Sequence, residues 1–201
     1  MKIEERVIRT IEEQAWIDRA AVPIQTVLRG ALHRAPSVAG FLHGDWLGHP
    51  LHAALIPLPI GAFTTAMVLD IVELTGNRRH RRVADAAVIT GIGSALIAAL
   101  PGLADWSHTE GGARRAGFVH AALNVSITGI YGGSAILRAV GQRKAGIALA
   151  MVGDTLLGAS AWLGGELAYR YGVGVRREAK VTGAERAAGV ADEPSVVAHS
   201  A

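Results

Sequence analysis

Four apolar stretches dominate the sequence, and each is long enough to cross a lipid bilayer. They cover about residues 51–74, 84–105, 116–139 and 145–170. A transmembrane helix needs about 20 apolar residues, because the hydrocarbon core is about 30 Å thick and a helix rises about 1.5 Å per residue. Charged residues make up only 18% of the chain, below the roughly 25% of soluble proteins. The sequence therefore predicts an all-α, polytopic membrane protein.

Short connections and small residues indicate how the four helices pack. Helices joined by short loops become antiparallel neighbours. Glycines such as Gly91 and Gly153 lie within the stretches, where small residues let neighbouring backbones approach closely. Pro57 and Pro59 near the start of the first stretch predict a kink there. We expect an antiparallel four-helix transmembrane bundle as a domain covering residues 41–177.

The two ends of the chain differ from this centre. Within residues 1–40, Ile3, Val7, Ile11 and Ala15 share one helical stripe among glutamates. This predicts an N-terminal amphipathic helix, either on the membrane surface or as a plain soluble helix. The segment lacks the features of a secretory signal, so we expect it to remain in the mature protein. Residues 178–201 are small and polar, which predicts a disordered tail.

Composition excludes several kinds of chemistry and partner. The chain has no cysteine, which excludes disulfides, iron–sulfur ligation and covalently attached c-type haem. A formal charge of +3 would suggest nucleic acid for a soluble protein, but here the arginines cluster between apolar runs. We interpret them as topology signals for a lipid bilayer and expect no nucleic-acid partner.

Basic residues give two opposing signals for membrane orientation. The first and third loops are richer in arginine than the second, which puts them in the cytoplasm and both termini outside. The basic residues Arg170, Arg176, Arg177 and Lys180 after the last helix favour the opposite orientation.

Polar residues at membrane depth converge on one leaflet if the helices alternate in direction. Ionisable side chains cost about 2.5–3.5 kcal/mol each at the centre of a bilayer, so they tend to face the bundle interior and to mark function. The set comprises His49, His52, Asp105, His108, His120, Asn124 and Glu166. The alternative is that histidines at helix ends merely lie in the hydrated headgroup zone or cap the helices.

Two aspartates are expected to be buried polar residues. Asp154 lies near mid-membrane, at the depth of Thr64, Thr65, Thr90 and Tyr131, any of which can hydrogen-bond it. It is either a structural aspartate that holds the bundle together or a functional group. Asp70 shares a helix face with His52, which favours a functional role. Alternatively, Asp70 and Asp85 only form ion pairs with the arginine-rich first loop.

Four motifs in order resemble a bacterial membrane family of unknown function. The four motifs contain the segments Gly48-His49-Pro50-Leu51-His52, Gly102-Leu103-Ala104-Asp105-Trp106, His120-Ala121-Ala122-Leu123-Asn124 and Gly165-Glu166-Leu167-Ala168-Tyr169. The resemblance covers about residues 41–177. It implies a multi-pass four-helix fold in the bacterial inner membrane and a redox neighbourhood, because members are sometimes joined to a Rieske iron–sulfur domain. Without cysteine, no Rieske cluster carries over to this chain.

The first functional hypothesis is a b-type haem with His52 and His120 as axial ligands from parallel helices. Asn124 would orient a ring, and Arg114 and Arg115 would reach the propionates. Such a protein would exchange electrons on one side of the membrane with quinone or a redox partner.

Two further hypotheses use other combinations of the same residues. A divalent metal, zinc or iron, would bind His49, His52 and Asp105, with His120 and Glu166 in the wider candidate set. Alternatively, Asp70, Asp154 and Glu166 would serve proton or cation transport, or a membrane scaffold. We expect no enzyme, since the sequence contains no nucleophile and base constellation. A homo-oligomer is left open.

Overall fold

The computed structural model describes residues 3–175, which form eight helices and no strand. The first three are α1 (Ile3–Glu13), α2 (Ile17–Arg34) and α3 (Pro36–His43). The other five are α4 (Leu51–Leu55), α5 (Pro57–Leu74), α6 (Arg81–Trp106), α7 (Gly111–Ala139) and α8 (Arg143–Tyr169). The predicted tail at 178–201 lies outside the described residues.

The N-terminal segment forms three helices where one was expected. Ala35 has an extended φ of −132°, because the ring of Pro36 disfavours a helical conformation in the residue before it, and Pro36 then starts α3. The buried face also differs from the predicted stripe. Ile3 and Val7 are 78% and 41% exposed, whereas Ile8 is fully buried, because α1 turns that side chain toward α7 and α8.

Three of the four predicted spans are confirmed as helices long and apolar enough to cross a membrane. They are Leu51–Leu74, Arg81–Trp106 and Arg143–Tyr169. The first is interrupted at Ile56, between α4 and α5, where Pro57 and Pro59 lack backbone N–H donors. The predicted span at 116–139 lies within α7, which has a similar length but is not among these three, and which carries polar residues such as His120 and Asn124.

Helices α5, α6, α7 and α8 pack in a ring. Helix α5 contacts α6 and α8, and α7 contacts the same two helices. They enclose a common core formed by Phe63, Ala66, Val88, Ile127, Tyr131 and Ala150. Helices α1 and α2 pack against α7, and α3 packs against α6, so the N-terminal segment covers the end where α6 stops and α7 starts.

The helical hairpin α4–α6 is repeated by α7–α8. The tetrapeptide His-Ala-Ala-Leu occurs at 52–55 and again at 120–123. In α5 the buried residues are Pro59, Phe63, Ala66 and Asp70, and at an offset of 68 the residues Ile127, Tyr131, Ser134 and Arg138 are buried in α7. Buried Ala84, Val88, Gly91, Ala98 and Pro101 of α6 correspond, at an offset of 62, to buried Gly146, Ala150, Gly153, Ser160 and Leu163 of α8. The two hairpins therefore present the same face to the core.

Equivalent residues of the two hairpins also contact each other. Phe63 stacks on Tyr131, and Asp70 pairs with Arg138. Contact between a residue and its own equivalent is the mark of a twofold axis, as at the centre of a symmetric dimer. An approximate twofold axis therefore passes between α5 and α7.

Candidate functional site at the paired histidines

The two ends of the helix ring carry different chemistry. The histidine end, where α4 and α7 begin, holds His43, His52, Asp105 and His120. The arginine end, where α5 and α7 finish, holds Asp70, Glu73, Asp85, Arg138 and Arg143.

His52 and His120 occupy equivalent positions in the repeat and make equivalent hydrogen bonds. His52 Nδ1 lies 2.8 Å from the carbonyl oxygen of Ala98, and His120 Nδ1 lies 3.1 Å from that of Ser160. A carbonyl oxygen only accepts, so each ring donates from Nδ1 in these hydrogen bonds, and His120 Nδ1 also lies 3.1 Å from Ser160 Oγ.

A glycine backs each of these rings. A Cβ atom at Gly102 would lie 2.8 Å from His52 Nδ1, and one at Gly164 would lie 3.1 Å from His120 Cε1. Each glycine lies four residues, about one helical turn, beyond the residue whose carbonyl accepts from the ring. The absence of a side chain at these two positions therefore lets each ring lie flat against the neighbouring helix.

Asn124 acts only on the His120 side. Its Nδ2 atom donates to Ser160 Oγ at 2.9 Å and to the His120 carbonyl oxygen at 2.8 Å, and lies 3.2 Å from His120 Nε2. The equivalent residue beside His52 is Ile56, which has no hydrogen-bonding side chain. The two histidines thus share a position and a backbone contact but differ in their side-chain partners.

Asp105 pairs with His43, a residue that the sequence analysis did not select. His43 Nδ1 lies 2.8 Å from Asp105 Oδ1, and both side chains are almost fully buried. The ring of His43 also lies 5.6 Å from that of His108. No local pattern marks His43, because it precedes the apolar stretches and reaches Asp105 only when α3 docks on α6.

The other predicted metal ligands are dispersed. His49 is exposed, and Glu166 forms an ion pair with Arg170 at 3.8 Å. Within residues 3–175, no three His, Cys, Asp or Glu side chains are grouped so that they could hold a metal ion. The metal hypothesis stays a prediction.

Arg114 and Arg115 bind the N-terminal helices. Arg114 Nε donates to Gln25 Oε1 at 2.8 Å, and Arg115 donates to Asp18 at 2.6 Å and to the carbonyl oxygen of Glu12. The hydrogen bond from Arg115 holds the pKa of Asp18 below its usual value. Both arginines therefore have partners on the N-terminal helices, and contact with haem propionates stays a prediction.

Two more contacts hold the N-terminal helices α1 and α2 in place. Gln25 is fully buried and donates to the carbonyl oxygen of Trp106 at 2.8 Å. Burial raises the pKa of Tyr171, whose hydroxyl donates to Glu12 at 2.5 Å. Polar contacts thus tie α1 and α2 to the histidine end from both sides.

A buried ion-pair network closes the arginine end. Arg138 forms a two-pronged pair with Asp70, and both side chains are at most 3% exposed. Arg143 bridges Asp85 at 2.8 Å and Glu73 at 2.7 Å. Asp70 and Asp85 therefore pair with the end of α7 and the start of α8, and the first loop's neighbour Arg81 pairs with Glu73 instead.

Asp154 lies midway between the two ends. Tyr131 Oη donates to Asp154 Oδ1 at 2.6 Å, so Tyr131 is the partner among the four residues expected from depth. The second carboxylate oxygen, Oδ2, is buried without a hydrogen-bond partner.

The fold and these contacts define a helical membrane protein with an internal repeat and a pair of equivalent histidines near one end. The family of predicted membrane proteins DUF2231 matches residues 48–177, and the chain belongs to it. The family resemblance drawn from the motifs is thereby confirmed. No match was found among curated proteins or among solved structures.

Proposed function

We propose that this protein binds one b-type haem between His52 and His120 and transfers electrons at one face of the bacterial inner membrane. The observation that carries the proposal is the equivalence of the two rings. They come from diagonally opposed helices across the twofold axis, and each holds its Nδ1 proton on a backbone carbonyl. Two such imidazoles would supply two nitrogen ligands of the same kind to the haem iron.

The donor chemistry of the two side chains suits this cofactor. A neutral imidazole binds iron through a nitrogen lone pair, and the contacts at Nδ1 leave Nε2 for this role. Asn124 lies near His120 Nε2, but its amide also donates to two oxygens, so releasing the ring would not leave it unpaired. When bound, haem would supply one-electron redox chemistry.

The surroundings favour exchange of electrons on one side only. The helices at the arginine end carry no histidine in the described part of the chain, so a second ligand pair is missing there. Helices α1–α3 cover the histidine end. The partner that exchanges electrons there would be a quinone or a redox protein. Cation transport through Asp70 is less favoured, because Arg138 already binds that carboxylate.

The proposal includes α7 as a fourth transmembrane helix beside the three apolar ones. It lies between α6 and α8 in the ring, and its polar side chains make internal contacts, as Asn124 does with Ser160 and Arg138 with Asp70. Inward polar groups cost less in a bilayer than lipid-facing ones. Cysteine labelling of single variants at Asn77 and Gly141 should give one sidedness for both loops, and opposite sidedness would reject a spanning α7.

The haem proposal is tested by visible spectroscopy of protein purified in detergent from haem-supplemented cells. A reduced-minus-oxidised spectrum should show the sharp bands of low-spin haem at one haem per chain. His52→Ala and His120→Ala should each abolish the bands, whereas His33→Ala, an exposed histidine on α2, should keep them.

Glycine variants provide a second, matched comparison. Gly102→Ala and Gly164→Ala push against the two rings and should reduce haem content, while Gly93→Ala and Gly158→Ala, with nothing within 4 Å on the same helices, should not. Protein without haem bands, or bands that persist in the double histidine variant, would overturn the proposal.

A further inference from the structure

The two halves of the repeat differ at the positions that lie between the ends. Tyr131 of α7 corresponds to Phe63, and Asp154 of α8 corresponds to Ile92. The second hairpin therefore carries a hydroxyl and a carboxyl where the first carries two apolar side chains. Because the repeat keeps burial the same at these positions, the polar pair is not explained by a difference in exposure.

The same difference extends along the α7–α8 hairpin. Asn124, Ser134 and Ser160 replace Ile56, Ala66 and Ala98 of the first hairpin. Asn124 and Ser160 are hydrogen-bonded to each other on the histidine side of Tyr131, and Ser134 accepts from Arg138 on the arginine side. The second hairpin thus carries polar side chains at these buried or half-buried positions, where the first carries apolar ones.

Between these positions, only one of the two carboxylate oxygens of Asp154 has a hydrogen-bond partner. Its Oδ1 accepts from Tyr131, and its Oδ2 is buried with no partner. The buried cation Arg138 is already bound to Asp70 and Asp85. A carboxylate with an unpaired oxygen inside a membrane is costly, and a proton on that oxygen removes the charge.

We propose that Asp154 is a proton-binding site inside the membrane. The proton occupies Oδ2, while Oδ1 continues to accept from the Tyr131 hydroxyl. The site does not depend on haem.

Infrared spectroscopy of the purified full chain tests the site directly. At neutral pH the wild type should show the C=O stretch of a protonated carboxylic acid, and the band should move in D₂O buffer as the proton exchanges. Asp154→Asn should remove this band. Asp85→Asn, a change at an ion-paired and partly exposed carboxylate, should leave it in place.

Tyr131→Phe provides the variant that keeps the fold, because it restores the residue found at the equivalent position of the first hairpin. It should retain the band but shift it, since the hydrogen bond to Oδ1 is lost. A wild type without the band, a band that survives Asp154→Asn, or a band unmoved by Tyr131→Phe would overturn the proposal. A band that does not move in D₂O would show that this proton does not exchange with water, and would likewise overturn the proposal. Haem content does not enter any of these outcomes, so the two proposals fail separately.

Discussion

The ring of Phe63 lies parallel to the ring of Tyr131, with centroids 3.7 Å apart and planes inclined by 5°. The two residues are equivalent in the repeat, so the stack lies where the twofold axis crosses the core. Gly91 backs the ring of Phe63, and Gly153 backs that of Tyr131. The contact between diagonal helices therefore depends on two glycines in the flanking helices.

Gly91→Ala should destabilise the protein, because the new Cβ would lie 2.4 Å from the ring of Phe63. Overpacking of this kind costs about 1–3 kcal/mol. Gly93→Ala, on the same helix with nothing within 4 Å, is the matched control and should melt at or above the wild-type temperature. Thermal melting in detergent measures both, and equal melting temperatures would show that the ring can move aside.

Arg138→Met should unfold the arginine end, because it leaves the buried carboxylate of Asp70 without its cation. Removing one partner of a buried ion pair costs about 3–5 kcal/mol. The double variant Arg138→Met, Asp70→Leu should recover much of that loss. Arg78→Met, at an exposed loop position, is the control. Denaturant titration measures all three variants, and a double variant no more stable than the single one would contradict the pairing.

Ile8→Ala should loosen α1 from the helix ring. Ile8 is fully buried against Ala116, Leu163 and Leu167, and such a truncation costs about 2–5 kcal/mol. Val7→Ala, next to it but 41% exposed, should have little effect. Limited proteolysis compares how fast each variant loses its N-terminal segment. Equal rates would mean that polar contacts alone hold α1.

The docking of α2 should weaken in acid. Arg115 lowers the pKa of Asp18 in the folded state, below the ordinary value of 3.8. The ionised carboxylate therefore stabilises docking at pH values above 3.8, and this contribution is lost as the pH falls through the folded-state value. The protection of α2 amides against hydrogen exchange should therefore fall in the wild type as the pH drops below 3.8. Asp18→Asn should remove the pH step, and Glu5→Gln should keep it.

Much of this fold was predictable because its signals are local. Apolar length alone places Leu51–Leu74, Arg81–Trp106 and Arg143–Tyr169, since bilayer thickness fixes the number of residues needed. The sequence also contains the tetrapeptide His52-Ala53-Ala54-Leu55 a second time, at 120–123. This repeat alone places His52 and His120 at equivalent positions. Their proposed role as ligands stays a prediction.

The site partners were less predictable, because side chains at similar depth compete for each other. Depth left four candidates for Asp154, and only the packing of α7 on α8 selects Tyr131. Depth also grouped Asp105 with His49 and His52, whereas the docking of α3 brings His43 to it.

The sequence by itself determined the membrane class, three of the spans and the family, because hydrophobic length and ordered motifs are properties of continuous segments. The tertiary structure decided which polar groups meet. It paired Asp70 with Arg138 and gave Arg114 and Arg115 to the N-terminal helices. Those choices depend on how each helix rotates about its axis, and that rotation is set by packing between segments far apart in the chain.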